Sequence, residues 1–380
     1  MAEPVTIQGT PEGSLEDGIA LCLSGGGYRA MLFHLGAIWR LNEVGYLRKL
    51  DRVSSVSGGS ITAGALGMVW SALEFNDDGV VTNLEGELIS RVRDLASRTV
   101  DTGAIISGIM TPGSVSTKVA SRYDRHLFRG TTLQDLPTDE VGPRFIINAT
   151  NLQTGVLWRF SRPYMADYRM GRVDLPKVPL ATAVAASSAF PPVLSPTVLE
   201  IEPGQFERES RHWEFSHLQA NGKAFLSDGG VYDNLGLETA WKRYRTILVS
   251  DGGGHLSAEE TVKVDWARQS LRVLKVIDSQ VRSMRKRQVI DAFQDGRRRG
   301  TYWGIRSHPG DYGLADAIPT DPETVRGLAE MKTRLKKLGA ADQERLINWG
   351  YVICDTALRR WVDPELVPPA GTPYPSSPIG

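Results

Sequence analysis

Ser57 stands in the run Arg52-Val-Ser-Ser-Val-Ser-Gly-Gly-Ser60, and upstream of it lies the triplet Gly25-Gly26-Gly27. Each follows a short apolar run that reads as a strand, and each precedes a helical pattern. A serine at a sharp strand-to-helix turn is presented as a nucleophile, while a glycine turn leaves successive backbone N–H groups free to hold an oxyanion. The chemistry to expect is acyl transfer through a serine. Such a turn needs small residues two before and two after the nucleophile; here they are Ser55 and Gly59, with Ser55 where glycine is usual. Gly58 can offer its N–H to the same oxyanion, and the helix behind it adds positive potential. A plainer reading makes Ser57 or Ser60 only a helix N-cap.

The glycine triplet, with Arg29 behind it, also suits a phosphate, and Gly25-x-Gly27-x-x-Ala30 satisfies the dinucleotide-binding pattern. That reading needs an acidic residue at the end of the next strand. Ser55-Val-Ser57-Gly58 stands there instead, which favours the oxyanion role. A serine hydroxyl also needs a base. Asp228 and Asp251 both fall at the end of an apparent strand, each followed by glycines. Asp228-Gly229-Gly230 permits close backbone approach, and Asn234 is near enough in sequence to position it; either Asp-Gly-Gly can equally be a tight turn. The order Ser57, Asp228, then His255 or His308 also permits a histidine triad. An α/β-hydrolase, however, places several strands before its nucleophile, and this chain has room for one. His34, on an apolar helix face, reads as a hydrogen-bonded core residue.

The elements that must position these residues are β-turn-α units. Ile19 to Ser24 and Arg52 to Val56 read as strands, each followed by a helix: the first carries Leu32, Leu35, Ile38 and Leu41 at helical spacing, and the second spans Ile61 to Phe75. Further on come a helix over Glu85 to Ser97, a hairpin of Arg144 to Ala149 with Gly155 to Phe160, and a small-residue helix over Pro179 to Ser188. Strands at Ala224 to Ser227, Thr246 to Ser250 and Thr301 to Ile305, a long helix after Glu259, and two helices within Asp321 to Arg360 complete the pattern. Residues 203 to 222 look like a solvated insertion. The expected organisation is a disordered arm over 1–17, a catalytic α/β core over 18–255, a helical C-terminal extension over 256–363 packed on it, and a disordered tail over 364–380 with six prolines.

Lys plus Arg and Asp plus Glu both number 44, so no bulk field draws the chain to nucleic acid or to an anionic membrane, and any membrane contact is expected to be local and peripheral. The polar, acidic N-terminus has no apolar signal region, which points to a cytoplasmic protein. No apolar run is long enough to span a bilayer. Cys22 and Cys354 read as reduced core thiols. Gly103 to Ser116, rich in Ile, Gly and Met, is a lid candidate, and Arg282 to Arg299 a candidate contact for anionic headgroups, against plainer readings as a packed helix-loop and a solvated helix face.

Taken together, the chain resembles the bacterial patatin-like phospholipases. The resemblance covers most of residues 18 to 255 and rests on Gly25-Gly-Gly-Tyr-Arg29, Ser55-Val-Ser57-Gly-Gly59, Asn148-Ala-Thr-Asn-Leu-Gln-Thr-Gly155, Ala186-Ser-Ser-Ala-Phe-Pro-Pro192 and Asp228-Gly-Gly230. It implies a three-layer α/β/α fold with a mainly parallel sheet, and a Ser57–Asp228 dyad without histidine. Gly25, Gly26, Gly27 and Gly58 would line the oxyanion hole, with Arg29, Gly59, Gly229, Gly230 and Asn234 in support. The implied activity is hydrolysis of fatty-acyl esters of phospholipids, lysophospholipids or neutral lipids through an acyl-enzyme, with neither metal nor cofactor. The alternative is a catalytically silent or effector-gated member whose C-terminal helices bind a ligand or partner. Free aspartate titrates near ~3.9 and histidine near ~6.5, so an Asp base whose site does not raise its pKa strongly predicts an acid limb well below the histidine range.

Overall fold

Alternate residues of the first strand feed different cores. In β1 (Glu16–Leu23), Ala20 and Cys22 join one apolar cluster, with Leu235, Leu237, Ala240, Ile247, Val249 and Val289, while Leu21 and Leu23 join a second, larger one. A strand buried on both faces lies in the middle of three layers. The computed structural model describes residues 15–100, 114–207, 216–262 and 264–380. Outside them lie residues 1–14 of the expected arm, 103–113 of the lid candidate and 208–215 of the polar insertion.

Among the described residues the sheet has ten strands. Besides β1 they are β2 (Leu50–Val56), β3 (Arg144–Asn151), β4 (Val156–Phe160), β5 (Tyr164–Asp167), β6 (Gly171–Asp174), β7 (Thr197–Glu200), β8 (Lys223–Asp228), β9 (Tyr244–Asp251) and β10 (Arg299–Gly304). The order is β10-β9-β1-β2-β3-β4-β5-β6, with β8 pairing β3 and β7 pairing β8. The five strands from β10 to β3 are parallel, and the remainder pair antiparallel. Helices α1 (Gly27–Glu43) and α2 (Gly58–Val69) follow β1 and β2 directly. This is the expected α/β architecture, with helices flanking a largely parallel sheet and a helical C-terminal region. The short strands β5, β6 and β7 were not foreseen; four residues each give too little alternation to distinguish them from loop.

The C-terminal helix Ala340–Trp361 packs on α1 at backbone contact. A Cβ on Gly36 would overlap the Ile347 carbonyl, and one on Gly350 would overlap the Phe33 carbonyl. Neither obstacle is a side chain that can swing away. Gly350→Ala is therefore expected to cost about 3 kcal/mol, read as a lower urea midpoint at unchanged m-value. The same interface buries a carboxylate between two guanidiniums: Arg40 and Arg359 reach Asp355 at 2.8 and 3.0 Å.

The proline-rich tail over 364–380 is not the disordered segment its composition suggests. Asn348 donates to the Tyr374 and Ser377 carbonyls at 2.8 and 2.9 Å, Asp321 N–H donates to the Ile379 carbonyl at 2.7 Å, and the Ile379 side chain is buried. Prolines restrict the unfolded chain, so docking an extended segment loses less entropy.

Candidate active site

Two strands meet end to end on one edge of β3. β2 pairs with β3 as far as Val56 opposite Asn148, and beyond it β8 arrives antiparallel and ends with Asp228 opposite Ala149. The residue after Val56 is Ser57, so the register itself brings Ser57 and Asp228 together from across the chain. Ser57 has φ 52° and ψ −118°, a strained conformation for a side-chain-bearing residue and the one a nucleophile at a sharp turn adopts. It is 9 % exposed and its N–H donates to Ser187 Oγ at 2.9 Å.

The glycine turn is packed against the serine turn. A Cβ on Gly58 would overlap the Gly27 carbonyl, and one on Gly59 would come within 2.5 Å of the Leu23 carbonyl oxygen. Gly26 and Gly27 both have positive φ, 151° and 61°. The N–H groups of Gly26, Gly27 and Gly58 have no acceptor among the described residues. Gly25 differs: its N–H donates to the Asn234 carbonyl at 3.0 Å, so it anchors the turn and is not an oxyanion donor. Asn234 supports the site through that carbonyl. Arg29 is buried and ties the turn to the Gly252 and Met331 carbonyls. Burial, then the charge of Arg282, pulls its pKa down to about 10.

Asp228 is 3 % exposed. Its carboxylate accepts the Gly230 N–H at 2.7 Å and a hydrogen bond from Ser57, and no cation pairs with it among the described residues. Burial pushes its pKa up to about 7; the Gly230 and Ser57 hydrogen bonds only partly oppose this, and the Asp278 charge adds to it. An acid limb well below the histidine range was expected only of a site that does not raise its aspartate strongly, and desolvation here means that condition is not met. The backbone beside it is fixed by Asp228 N–H to the Ala189 carbonyl, Thr150 Oγ1 to the Asp228 carbonyl, and Gly229 N–H to the Ser187 carbonyl.

Asp251 has a different environment. Burial alone would raise its carboxyl, but Arg282 at 3.3 Å, the Gly253 N–H and the Tyr302 hydroxyl at 2.8 Å outweigh burial and hold it below the usual range. It is a fixed anion that braces the turn after β9. His34 bridges Ser250 Oγ and the Ser24 carbonyl inside the core, and burial pushes its pKa down to about 4. His308 caps the turn Pro309–Tyr312 by accepting the Gly310 N–H.

The sequence reading missed Ser187. Its hydroxyl accepts the Ser57 N–H, donates to the Asn148 carbonyl at 2.6 Å and lies 2.9 Å from Ser60 Oγ. Ser60 Oγ in turn donates to Ser55 Oγ at 3.0 Å. The hydroxyl at Ser55, where glycine is usual, is thus absorbed into a buried network beneath Ser57. The signal available was the Ala186-Ser187-Ser188 block after an alanine-rich helix.

Among solved structures, the chain is similar to human GIVD cytosolic phospholipase A2, at 12 % identity and TM-score 0.51, covering 91 % of this chain and 62 % of that one. A further similarity is to VipD from Legionella pneumophila, at 15 % identity and TM-score 0.35, covering 90 % and 66 %. The chain thus spans about three-fifths of the length of the human structure, and the likeness concerns the fold. No curated protein matches the sequence. The patatin-like phospholipase family model matches residues 21–241, across both turns and Asp228, and the chain belongs to that family.

Proposed function

We propose that this chain is a lipid acyl hydrolase working through a Ser57–Asp228 dyad. Ser57 Oγ attacks the ester carbonyl while Asp228 takes its proton. The Gly26, Gly27 and Gly58 N–H groups hold the oxyanion as the tetrahedral intermediate forms. Collapse expels the alcohol, which receives the proton from Asp228, and leaves an acyl-serine. Water, deprotonated by Asp228, then releases the fatty acid and restores Ser57. The observation that carries this reading is the meeting of a strained Ser57 with a buried, cation-free Asp228 beside three uncommitted backbone donors. A pKa of about 7 gives Asp228 the basicity that a free aspartate lacks. Release of fatty acid from phospholipid, lysophospholipid and p-nitrophenyl ester panels tests the reading. Turnover of none of them by folded protein overturns it and favours the silent alternative.

Peripheral membrane contact belongs to the same proposal, on a surface that begins upstream of the stretch the sequence suggested and overlaps its start. Within Arg282 to Arg299 the cations are largely engaged: Arg282 with Asp251, Arg285 with Glu238, Arg297 with Asp295 and Arg298 with the Trp241 ring and carbonyl. The exposed apolar surface lies along residues 266–284 of the long helix Trp266–Gln294. There Trp266, Ile277 and Met284 are 82 %, 52 % and 62 % exposed at helical spacing, and of the seven Lys or Arg in residues 266–287, Lys275, Lys286 and Arg287 make no ion pair among the described residues, whereas Arg268, Arg272, Arg282 and Arg285 are paired with Asp265, Glu259, Asp251 and Glu238. An apolar stripe with Trp on a basic helix fits an anionic lipid interface. No described helix is long and apolar enough to cross a membrane. The protein is expected to float with vesicles containing anionic lipid, less so in high salt, and the triple change Trp266→Ser, Ile277→Ser, Met284→Ser should abolish flotation. Equal flotation of both proteins would remove this helix from consideration.

A further inference from the structure

Four arginines share one face of neighbouring strands. Arg52 in β2 is the register partner of Arg144 in β3, and Arg159 in β4 is opposite Ala166 of β5, itself opposite Arg172 of β6. This is the face on which Ser54 donates to the Gly236 carbonyl and accepts from Thr239, so it is roofed by the segment that follows Asp228. Between sheet and roof lies a cavity of about 800 Å3, lined by the four arginines and by Tyr164 and Tyr232; the carboxylates on its wall are engaged, Asp167 with Asn151 and Thr154, Glu207 with Arg172, and Glu238 with Lys242 and Arg285.

Like charges opposed across strands repel, and only two of the four are answered. Arg144 pairs with Asp139, and Arg172 with Asp174 at 2.6 Å. Arg52 and Arg159 have no carboxylate partner among the described residues. Arg159 rests over the Tyr164 ring at 5.5 Å. Arg52 is 4 % exposed, spends one N–H on the Thr239 carbonyl at 2.7 Å, and its Nε has no acceptor. Burial in the first place, with Arg243 and Arg144 adding to it, pulls the Arg52 pKa down. A buried guanidinium without a counter-charge is costly, and an anion in the cavity relieves that cost.

We propose that this cavity binds a small, multiply charged anion of the phosphate class, held by Arg52 and Arg159, at a site separate from the Ser57 centre. Neither Ser57, Asp228 nor the glycine turn lines it. Arg52 lies up β2 from Ser57, roughly 16 Å away at the ~3.3 Å rise of a strand. The two sites are joined through the roof. Tyr232 and Thr239 on the cavity wall belong to the segment that begins at Asp228, and within it Gly230 donates to the Asp228 carboxylate. An occupant that shifts this segment alters the base. That link rests on the hydrolase reading; binding does not.

Binding is therefore read in the Ser57→Ala protein, as the thermal midpoint during titration with inorganic pyrophosphate. A saturable rise is expected, lost in Arg52→Gln and in Arg159→Gln; the second change, at a half-buried position, keeps the test valid if the first disturbs folding. A shift that persists in both variants, or that sodium chloride of equal ionic strength reproduces, overturns the site, as does no shift. Competition by short-chain phosphatidic acid assigns the site to a lipid headgroup, and its failure to compete assigns it to a free phosphorylated metabolite. In the active protein, saturating pyrophosphate should change kcat/KM for an acyl ester at least about twofold, and leave Arg159→Gln unresponsive. Binding with kcat/KM unchanged overturns the link to Asp228.

Discussion

Ser57→Ala is expected to lower kcat for acyl-ester hydrolysis by about 10⁴-fold or more, because it leaves only binding and the backbone donors to act on the carbonyl. Asp228→Asn should fall by a comparable factor. Asparagine keeps an oxygen for the Gly230 N–H at 2.7 Å but cannot take the proton of Ser57. Asp251→Asn is the informative control. It weakens an ion pair with Arg282, a residue that also hydrogen-bonds the Gly254 carbonyl, so its cost should appear as lower stability with kcat within about tenfold of wild type. His255→Ala and His308→Ala should stay within about threefold, since His308 is committed to its cap and the Asp228 carboxylate already accepts from Ser57. The measurement is initial rate on p-nitrophenyl esters, with circular dichroism confirming the fold of each variant. An active Asp228→Asn beside a silent, folded Asp251→Asn would transfer the role of base to Asp251. Loss of activity in a histidine variant would restore the triad.

Ser57 and the glycine turn were legible as a candidate site because the chemistry they suggest is local. A strand, a tight turn and a helix follow one another within a few residues, and glycine is demanded where Gly58 meets the Gly27 carbonyl. Asp228 was legible as a candidate only. What singles it out from Asp251 is that β8 runs antiparallel to β3 and stops where β2 stops, a long-range pairing that no local pattern encodes. Counter-charge separates them further: Asp251 has Arg282 from the long helix, and Asp228 has no cation among the described residues. Gly25 shows the limit of motif reading, since its N–H is spent on Asn234 although its neighbours' are not. The tail shows the limit of composition. Six prolines describe an unfolded segment well, yet Asn348 and Asp321, from distant elements, fasten it down.

Asp228→Asn should also make the protein more stable, chiefly at the higher pH. The Asp228 carboxyl has a pKa of about 7 in the folded chain, against ~3.9 for a free aspartate, so the folded state holds this proton more tightly than the unfolded one. Below about pH 4 both states carry the proton and the residue contributes nothing. Between about pH 4 and 7 the unfolded chain releases it first, and stability falls as pH rises. Above about pH 7 the full penalty remains, about three pK units or roughly 4 kcal/mol. Asparagine carries no charge at any pH and escapes it. Urea denaturation should therefore give Asp228→Asn an advantage of about 4 kcal/mol at pH 8.5 that shrinks to about 1 kcal/mol at pH 4.5. The wild-type kcat/KM profile should lose activity below about pH 7 in parallel, since the base is needed unprotonated, and the limb should survive in His255→Ala and His308→Ala. An equal advantage at both pH values, or an acid limb near pH 4, would mean that Asp228 is solvated and weakly basic. The dyad would then lack the burial that makes an aspartate strong enough to activate Ser57.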